Sequence, residues 1–409
     1  MTMITSSEID HVTFDALEKE IPTFGRPDWE EVLKALVELH RASILPARDG
    51  MPYEFEHLGP GYYYGPAFGH WDVVHEILDS VASEPDHARR QILNDMSWMQ
   101  EDGFLAGAIY FSDDGYYHQK DTTHPPLWPF AVEEYCRVVG NYDLAKEVLP
   151  YLERQIGWYE KNRRLDDGGF FYTDVTGNRK CECGSDDSIR FVPAPGMMAC
   201  VDACSHVYAL YDFAWQWSGG KLYASEREAL GDLIRTRLYS EETGFFHDAG
   251  GERHFTFDGF WPLVCGAATE EQAKRVVEEW MLSPDRFFTR HPLPFVVRSD
   301  QGYELRMWRG PAWNSMTMWG LMGCMRYAQY NAVRQVAERV MDATAEQYRR
   351  TGKLWEFYHP DLGEQSELTR KPYNKEANLP CSDYLGHNPL FAIARMWKKA
   401  CSPVTKNQK

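Results

Sequence analysis

Residues 310–350, GPAWNSMTMWGLMGCMRYAQYNAVRQVAERVMDATAEQYRR, contain the structural unit that recurs along this chain. Apolar residues follow each other at three- and four-residue spacing over 310–328 and again over 330–350, a pattern typical of helices. A very short turn separates the two segments, so we expect a helical hairpin. The next residues, 351–380, are rich in Gly, Pro and aromatic side chains and predict a long loop.

The same alternation of helices and loops covers the rest of the chain. Further helices are predicted over 27–45, 72–83, 86–101, 126–139, 143–164, 198–218, 224–239, 269–282 and 381–399, with a short one near 258–266. Long loops are predicted over 46–70, 102–125, 165–197, 240–257, 283–309 and 351–380. About six hairpins with six long loops at one end describe an all-α fold, an (α/α)6 barrel, although helix number alone does not separate a barrel from an irregular helical solenoid. Long loops in a compact domain are usually functional, so we expect them to carry the site.

Length and composition limit the classes of protein that this chain can belong to. A chain of 409 residues would ordinarily hold two or three domains, but a closed barrel can use this length, and no linker divides the sequence. We therefore predict one barrel domain over 1–409, with an irregular leader over 1–25. The net charge of −18 disfavours nucleic acid and anionic membranes as partners, and no apolar run is long enough to span a bilayer.

The nine cysteines show no regular framework, and no secretory signal is visible, so a reduced cytoplasmic protein is expected. Cys181-x-Cys183 and Cys200-x3-Cys204 do not have the usual spacing of zinc ligands. We predict neither a metal nor a cofactor.

Two segments place a carboxylate among small or aromatic residues in predicted loops. They are residues 182–191, ECGSDDSIRF, and residues 354–360, LWEFYHP. Hydrolysis of a glycosidic bond needs two carboxyl groups in unlike surroundings, one protonated and one ionised. The chain also has 14 Trp and 23 Tyr, many of them in Gly- and Pro-rich loops. Although most aromatic residues serve packing, this excess is typical of surfaces that stack against sugar rings.

Motifs in the same order resemble those of glycoside hydrolase family 63, above all its short bacterial members, which include mannosylglycerate and glucosylglycerate hydrolases. Trehalases share the same clan. The motifs are residues 71–72 (WD), 124–135 (HPPLWPFAVEEY), 182–191, 201–202 (VD), 308–314 (WRGPAWN) and 356–364 (EFYHPDLGE). The resemblance implies that Asp186 is the general acid and Glu356 the general base. Asp187 and Ser188 are then capping or orienting residues.

The resemblance also suggests residues that would bind the substrate. They are Trp71, Asp72, Trp128, Arg190, Trp308, Arg309, Trp313, Trp355 and Tyr358. Each has an ordinary alternative: the tryptophans could pack the barrel, Asp72 could cap a helix, and Arg309 could form a structural salt bridge. If Arg309 faces the site, its planar guanidinium would suit a substrate carboxylate.

The leading hypothesis is an inverting α-glycoside hydrolase that acts exo on a small α-linked substrate, either an α-disaccharide or a glycosyl-glycerate. One alternative is a sugar epimerase of the N-acylglucosamine 2-epimerase type, which would use His359 and His387 on the same kind of barrel. Another alternative is a sugar-binding protein without catalysis. Both rest on fold analogy alone.

Overall fold

The computed structural model describes residues 11–48, 50–118, 120–177, 181–372, 374 and 377–402. Within these ranges the α-helices are α1 (Asp15–Glu20), α2 (Pro27–Ala42), α3 (Asp72–Ser80), α4 (Pro85–Ser97), α5 (Trp128–Val139), α6 (Asp143–Asn162), α7 (Val201–Trp217), α8 (Ala224–Arg237), α9 (Trp261–Cys265), α10 (Glu270–Val276, continued by a π-helical turn Val277–Met281), α11 (Asn314–Arg326), α12 (Tyr330–Thr351) and α13 (Leu390–Cys401). The strands are short: β1 (Ile44–Leu45), β2 (Phe55–Glu56), β3 (Ala67–Gly69), β4 (Ala108–Ser112), β5 (Gly115–His118), β6 (Tyr239–Ser240) and β7 (Phe245–Phe246).

The helices form two concentric rings. The inner ring is α3, α5, α7, α9, α11 and α13, and it closes where α13 packs against α3. The outer ring is α2, α4, α6, α8, α10 and α12, each helix preceding its inner partner in the sequence. This arrangement confirms the predicted all-α (α/α)6 barrel.

The sequence of each helix explains its ring. Every residue of α3 is buried, and α7 is buried over almost its whole length, because an inner helix has packing on all sides. Helix α7 is largely apolar, as expected of an enclosed helix, whereas α3 also buries polar side chains such as Asp72, Glu76 and Asp79. The outer helix α2 instead buries one stripe, which includes Trp29, Val32, Leu36 and Val37, and leaves its other face to solvent.

The middle of the barrel is filled by aromatic side chains. Trp319 of α11 lies there with ring centroids 5.2 Å from Phe130, 5.7 Å from Trp261 and 5.8 Å from His75. The Trp319 indole N–H donates to His75 Nε2 over 2.9 Å. These contacts close the barrel below the loops, so a ligand site has to lie above them.

The long loops meet at one end of the barrel. Every connection from an outer helix to the next inner helix is long, and every connection from an inner helix back to an outer one is short. Since successive helices run antiparallel, all the long connections emerge on the same side. The antiparallel sheet β3–β4–β5 belongs to two of these loops.

Three predicted boundaries are corrected. Part of the leader predicted over 1–25 is helical, as α1, whereas residues 1–10 lie outside the described ranges. Helix α11 begins at Asn314 instead of 310, because Ala312 is extended and pairs with Tyr358 through two backbone hydrogen bonds. Helix α13 begins only after Pro389, so residues 381–389 belong to the last loop. None of the helices in the described ranges has the length and apolarity needed to cross a bilayer.

Candidate active site

A cavity of about 140 Å³ lies where the long loops converge. Its lining comprises Leu58, Tyr62, Tyr64, Trp71, Asp72, Ala108, Tyr110, His124, Cys181, Gly184, Asp186, Met307, Trp308, Trp313, Glu356, Arg370, Lys371, Tyr384 and His387. Five of the six predicted long loops contribute, and only 240–257 does not. The two carboxylates singled out in the sequence, Asp186 and Glu356, therefore share one cavity.

The loop that carries Asp186 is held by its neighbours in the sequence. Glu182 is buried and accepts hydrogen bonds from the Arg163 guanidinium at 2.6 and 2.8 Å and from the Thr173 N–H at 2.7 Å. Gly184 has a φ of +78°, and a Cβ there would lie 2.2 Å from the Trp71 ring. Only glycine therefore allows this loop to lie flat on Trp71.

The two adjacent aspartates of this loop have different surroundings. Asp187 pairs with Arg306 at 2.9 Å and with Arg309 at 3.0 Å, and it does not line the cavity. Asp186 lines the cavity and pairs with Lys371 Nζ at 2.9 Å. Burial alone would raise the pKa of Asp186, but the Lys371 ammonium and a hydrogen bond with Cys181 outweigh it, so the pKa is lowered.

Glu356 lies in an extended segment that is fixed by backbone pairing with a later part of its own loop and with the loop before α11. Its N–H donates to the Cys381 carbonyl at 2.9 Å, and Tyr358 pairs with Ala312. The Glu356 carboxylate accepts from Arg370 Nε at 2.7 and 3.0 Å and from the Cys381 N–H at 3.2 Å. Glu356 is thus a buried carboxylate with a fixed orientation.

Asp72, at the start of α3, is a third carboxyl group in the cavity. It accepts from the Tyr384 hydroxyl at 3.1 Å and lies 3.3 Å from His387 Nε2. Burial raises the pKa of Asp72 to about 7, although the Tyr384 hydrogen bond lowers it, and the negative charges of Glu356 and Asp186 add to the increase. Near neutral pH Asp72 therefore carries a proton for part of the time.

One wall of the cavity is aromatic. Trp308 and Trp313 stack with ring centroids 3.6 Å apart and 3° between their planes, and Trp71 continues the stack at 5.6 Å from Trp308. Three buried nitrogens of the cavity residues have no hydrogen-bond partner among the described residues: Trp71 Nε1, His124 Nδ1 and Arg370 Nη1. All three could serve a hydroxyl group in the cavity.

Five residues predicted to bind substrate lie outside the lining, and each has structural contacts instead. Trp128 donates to Gln155, Trp355 donates to Thr351, and Tyr358 donates to Asn388. Arg309 binds Asp187 and Glu304, so its contacts are those of a structural salt bridge. Arg190 pairs with Asp202 at 2.6 Å and with Asp248 and Asp258 at 2.9 Å each. Trp71, Asp72, Trp308 and Trp313 do line the cavity.

Among the described residues, one group of side chains has the spacing of metal ligands: Cys200, Asp202 and Asp248, whose ligand atoms lie within 4.8 Å of one another. The Arg190 guanidinium already binds both of these aspartates. Burial also raises the pKa of the Cys200 thiol, which opposes the thiolate form that binds metals. This group is an ion-pair cluster, and we assign no metal to it.

Sequence reasoning missed Arg370 and Lys371, which bind the two carboxylates, and also Tyr384, which binds Asp72. Arg370 and Lys371 lie in the predicted loop 351–380 and belong to none of the motifs. Tyr384 falls in the stretch predicted as the last helix, which begins later. An adjacent Arg-Lys pair in a long loop beside a carboxylate motif was the available indication.

Comparison with known proteins places the chain among carbohydrate-active enzymes. The model of the mannosylglycerate hydrolase MGH1-like glycoside hydrolase domain matches residues 218–375. This region contains Glu356, Arg370 and Lys371, but not Asp186. A probable trehalase from Eremothecium gossypii is 32% identical over 120 residues, which are 24% of this chain and 16% of that protein. The match thus spans only a small part of the length of this curated relative.

Solved structures share the barrel. The family 63 mannosylglycerate hydrolase from Thermus thermophilus, in complex with glucose, aligns with a TM-score of 0.67 at 18% identity, over 89% of this chain and 99% of that one. Neutral trehalase from Saccharomyces cerevisiae aligns with a TM-score of 0.65 at 16% identity, over 86% of this chain and 74% of that one. The match over 218–375 indicates a glycoside hydrolase domain that resembles the mannosylglycerate hydrolase MGH1 type, and the solved structures show that the barrel fold is shared.

Proposed function

We propose that this protein is an inverting α-glycoside hydrolase that acts exo on a small α-linked substrate, with Asp186 as general acid and Glu356 as general base. The observation that carries the proposal is that these two carboxylates, from distant loops, line one cavity beside stacked tryptophans. Two carboxyl groups on either side of a bound sugar are the common requirement of glycosidases.

The contacts of Glu356 suit the role of general base. Arg370 holds Glu356 in a fixed ion pair, so that the free lone pairs of the carboxylate can take a proton from an attacking water. Asp186 then gives a proton to the glycosidic oxygen on the opposite face of the sugar. Asp72, Trp71 Nε1 and His124 Nδ1 bind the hydroxyl groups of the ring, which supplies the partners that the two nitrogens lack.

The size of the cavity favours a small substrate. A volume of about 140 Å³ is below the roughly 300–1,000 Å³ of most ligand pockets. The Trp319 cluster closes the barrel beneath it, so the sugar enters from the loop side and the leaving group points back toward solvent. The similar proteins support this size, since one is a mannosylglycerate hydrolase and another a trehalase.

The test is a product analysis with α-linked disaccharides and with α-glucosyl- and α-mannosyl-glycerate. We expect hydrolysis, and NMR of the first-formed product should show the β-anomer, because an inverting enzyme delivers water to the opposite face. An α-anomer as first product would contradict inversion. An isomerised monosaccharide would support the epimerase, and binding without turnover would support a non-catalytic sugar-binding protein.

The position of the histidines does not favour the epimerase. That reaction would need His359 and His387 to face the sugar together. His387 lines the cavity, where burial keeps its pKa well below the usual value. His359 is not part of the lining, and its Nδ1 accepts the Asp361 N–H.

A further inference from the structure

Two adjacent cations, Arg370 and Lys371, each hold one of the two carboxylates in the cavity. Arg370 Nε lies 2.7 Å from Glu356, and Lys371 Nζ lies 2.9 Å from Asp186. The backbone fixes both residues, since the Arg370 N–H donates to the Asn378 carbonyl at 2.7 Å and the Lys371 N–H donates to the Ala377 carbonyl at 3.2 Å. One short segment thus controls the charge around both groups.

The two ion pairs differ in how easily they can be exchanged. The Arg370 side chain is 3% exposed, and its guanidinium lies 5.5 Å from the Tyr64 ring and 5.9 Å from the Tyr62 ring. The Lys371 ammonium also lies near the Tyr64 ring, at 5.7 Å, but its side chain is 16% exposed and the ammonium is a point charge at the end of a flexible stem. Lys371 can therefore turn toward another anion while Arg370 stays in place.

The Lys371 contact conflicts with the role proposed for Asp186. A general acid must hold a proton, whereas an ammonium at 2.9 Å favours the ionised carboxylate. A contact of this kind would suit a general base, which must stay charged, but it opposes proton donation by Asp186. Asp186 can act as the acid only after Lys371 has moved away or found another negative partner.

We propose that Lys371 receives a carboxylate on the leaving part of the substrate, and that this exchange frees Asp186 to take up the proton that it then donates. The inference rests on the function proposed above. As the ammonium passes to the substrate carboxylate, Asp186 gains a proton from solvent. It gives that proton to the glycosidic oxygen as the C–O bond breaks, while Glu356 takes a proton from the attacking water.

Two other cations near the site, Arg309 and Arg370, are less able to change partner. Arg309 donates to Asp187 and Glu304 and lies outside the lining. Arg370 Nε binds both carboxylate oxygens of Glu356, while its buried Nη1 has no partner among the described residues and can meet a substrate oxygen without Arg370 leaving Glu356. Among the described residues that line the cavity, Lys371 is thus the cation with an exchangeable partner.

Asp186 also interacts with other groups, and these bear on its titration. They are Cys181, His124, Tyr110, Asp72 and Asp174. Replacing Lys371 leaves all of them in place. A change in the pH dependence of a Lys371 variant therefore reports the loss of the ammonium.

The experiment compares two substrates that differ by one carboxylate, a glycosyl-glycerate and the matching glycosyl-glycerol. We expect the wild type to favour the glycerate. Lys371→Met should lower kcat/KM for the glycerate by about 10–100-fold, the loss typical of a charged hydrogen bond. With the glycerol substrate, the alkaline limb of kcat/KM should move to higher pH, because Asp186 keeps its proton longer. Lys371→Arg is the matched control and should retain the preference for the glycerate.

Equal losses for both substrates with an unchanged pH profile would overturn the role of Lys371 and leave the hydrolase proposal intact. Absence of any hydrolysis by the wild type would instead contradict the hydrolase proposal. In that case calorimetric titration with glycerate still tests Lys371. Binding to the wild type and to Lys371→Arg, but not to Lys371→Met, supports the inference, and equal binding to all three overturns it.

Discussion

Two ion-pair clusters of this protein use the same chemical groups for different ends. In the Arg190 cluster one guanidinium binds three carboxylates, from Asp202, Asp248 and Asp258, at 2.6–2.9 Å. In the cavity, Lys371 and Arg370 bind one carboxylate each. The first cluster joins the start of α7 to two neighbouring loops, so it holds the scaffold. The second lies where the substrate is proposed to bind.

The difference shows that burial alone does not separate a structural cation from a functional one, since Arg190 and Arg370 are both buried. The number of partners is more informative. A cation shared by three acids cannot be released without leaving several buried charges unpaired. A cation with one partner at a cavity wall can change partner when a ligand arrives.

The largest expected effect is on the chemistry of the cavity. Asp186→Asn should lower kcat by at least about 10²–10⁴-fold, since the amide cannot donate the proton. Unfolding in urea should show little change, because Asp186 has Lys371 as its one ion-pair partner among the described residues. Asp187→Asn is the matched control, and we expect it to affect stability more than the proton-transfer step, because Asp187 holds Arg306 and Arg309. A kcat close to that of the wild type in folded Asp186→Asn would remove Asp186 from the mechanism.

Breaking the Arg190 cluster should lower stability more than it lowers turnover. Arg190→Met leaves three buried carboxylates without their cation and should reduce the free energy of unfolding by about 3–5 kcal/mol. The counterpart in the cavity, Lys371→Met, should reduce it by less than Arg190→Met does, because it leaves one carboxylate unpaired instead of three and that pair is 16–19% exposed. Urea denaturation of both variants measures the contrast, and equal losses would show that the two clusters serve the scaffold alike.

A third cluster, formed by Glu56, His40 and His87, should set the pH range of stability. Glu56 lies 2.5 Å from His40 and 2.7 Å from His87. Burial raises the pKa of Glu56, but the two histidines outweigh it and lower the pKa to about 2. Burial likewise lowers the pKa of His40, but Glu56 and Asp79 raise it to about 10.

The signs of these shifts define the test. The Glu56 contribution is complete above its unfolded pKa of about 4.3 and disappears as pH falls toward 2. The His40 contribution is complete below about 6.5 and disappears as pH rises toward 10. Thermal unfolding of Glu56→Gln should therefore depend on pH less steeply than the wild type in both windows. Glu54→Gln, at an exposed pair with His11, is the control and should keep the wild-type slope. A wild-type slope in Glu56→Gln would contradict the assignment.

Substitution of Gly184, which lines the cavity, should disturb its contact with Trp71. The new Cβ of Gly184→Ala would meet the Trp71 ring at 2.2 Å, and the residue would keep a positive φ. We expect a loss of about 1–3 kcal/mol in stability together with a lower kcat. Gly196→Ala is the comparison, since its φ is +82° but its Cβ would have no neighbour within 4 Å. If both glycine variants behave alike, backbone strain explains the loss and the Trp71 contact does not.

The smallest effect concerns substrate preference. Arg309→Lys should weaken hydrolysis of a glycosyl-glycerate and of the matching glycosyl-glycerol to the same extent, by less than about tenfold. The reason is that Arg309 contacts Asp187 and Glu304 instead of the cavity. The kcat/KM ratio of the two substrates measures this directly. A selective loss of the glycerate would return Arg309 to the role of anion receptor.

The sequence predicted the barrel well because its helices and loops alternate with clear punctuation. Pro27 begins α2, and Gly140 and Gly352 end α5 and α12 in the left-handed conformation. The predicted start of α13 is too early, because residues 381–389 contain Gly386 and Pro389, which are typical of loops, and are held in a loop by contacts with distant residues. Tertiary pairing of this kind leaves no periodic pattern.

Six of the site residues chosen from the motifs line one cavity: Asp186, Glu356, Trp71, Asp72, Trp308 and Trp313. The motifs alone did not separate residues that face the cavity from residues that hold the loops, such as Arg190 and Arg309. The choice depends on which acidic groups the fold places beside each arginine. Lys371 lies far from Asp186 in the sequence, so their contact could not be inferred without the fold.

The stacked indoles of Trp308 and Trp313 give the protein a spectroscopic property of its own. Two parallel rings with centroids 3.6 Å apart share their excited states, and the enclosed cavity wall fixes their mutual orientation. Near-ultraviolet circular dichroism responds to such fixed aromatic packing and disappears when side-chain packing is lost. The pair should therefore report, without any attached label, when a sugar enters the cavity or when the loops around it lose their order.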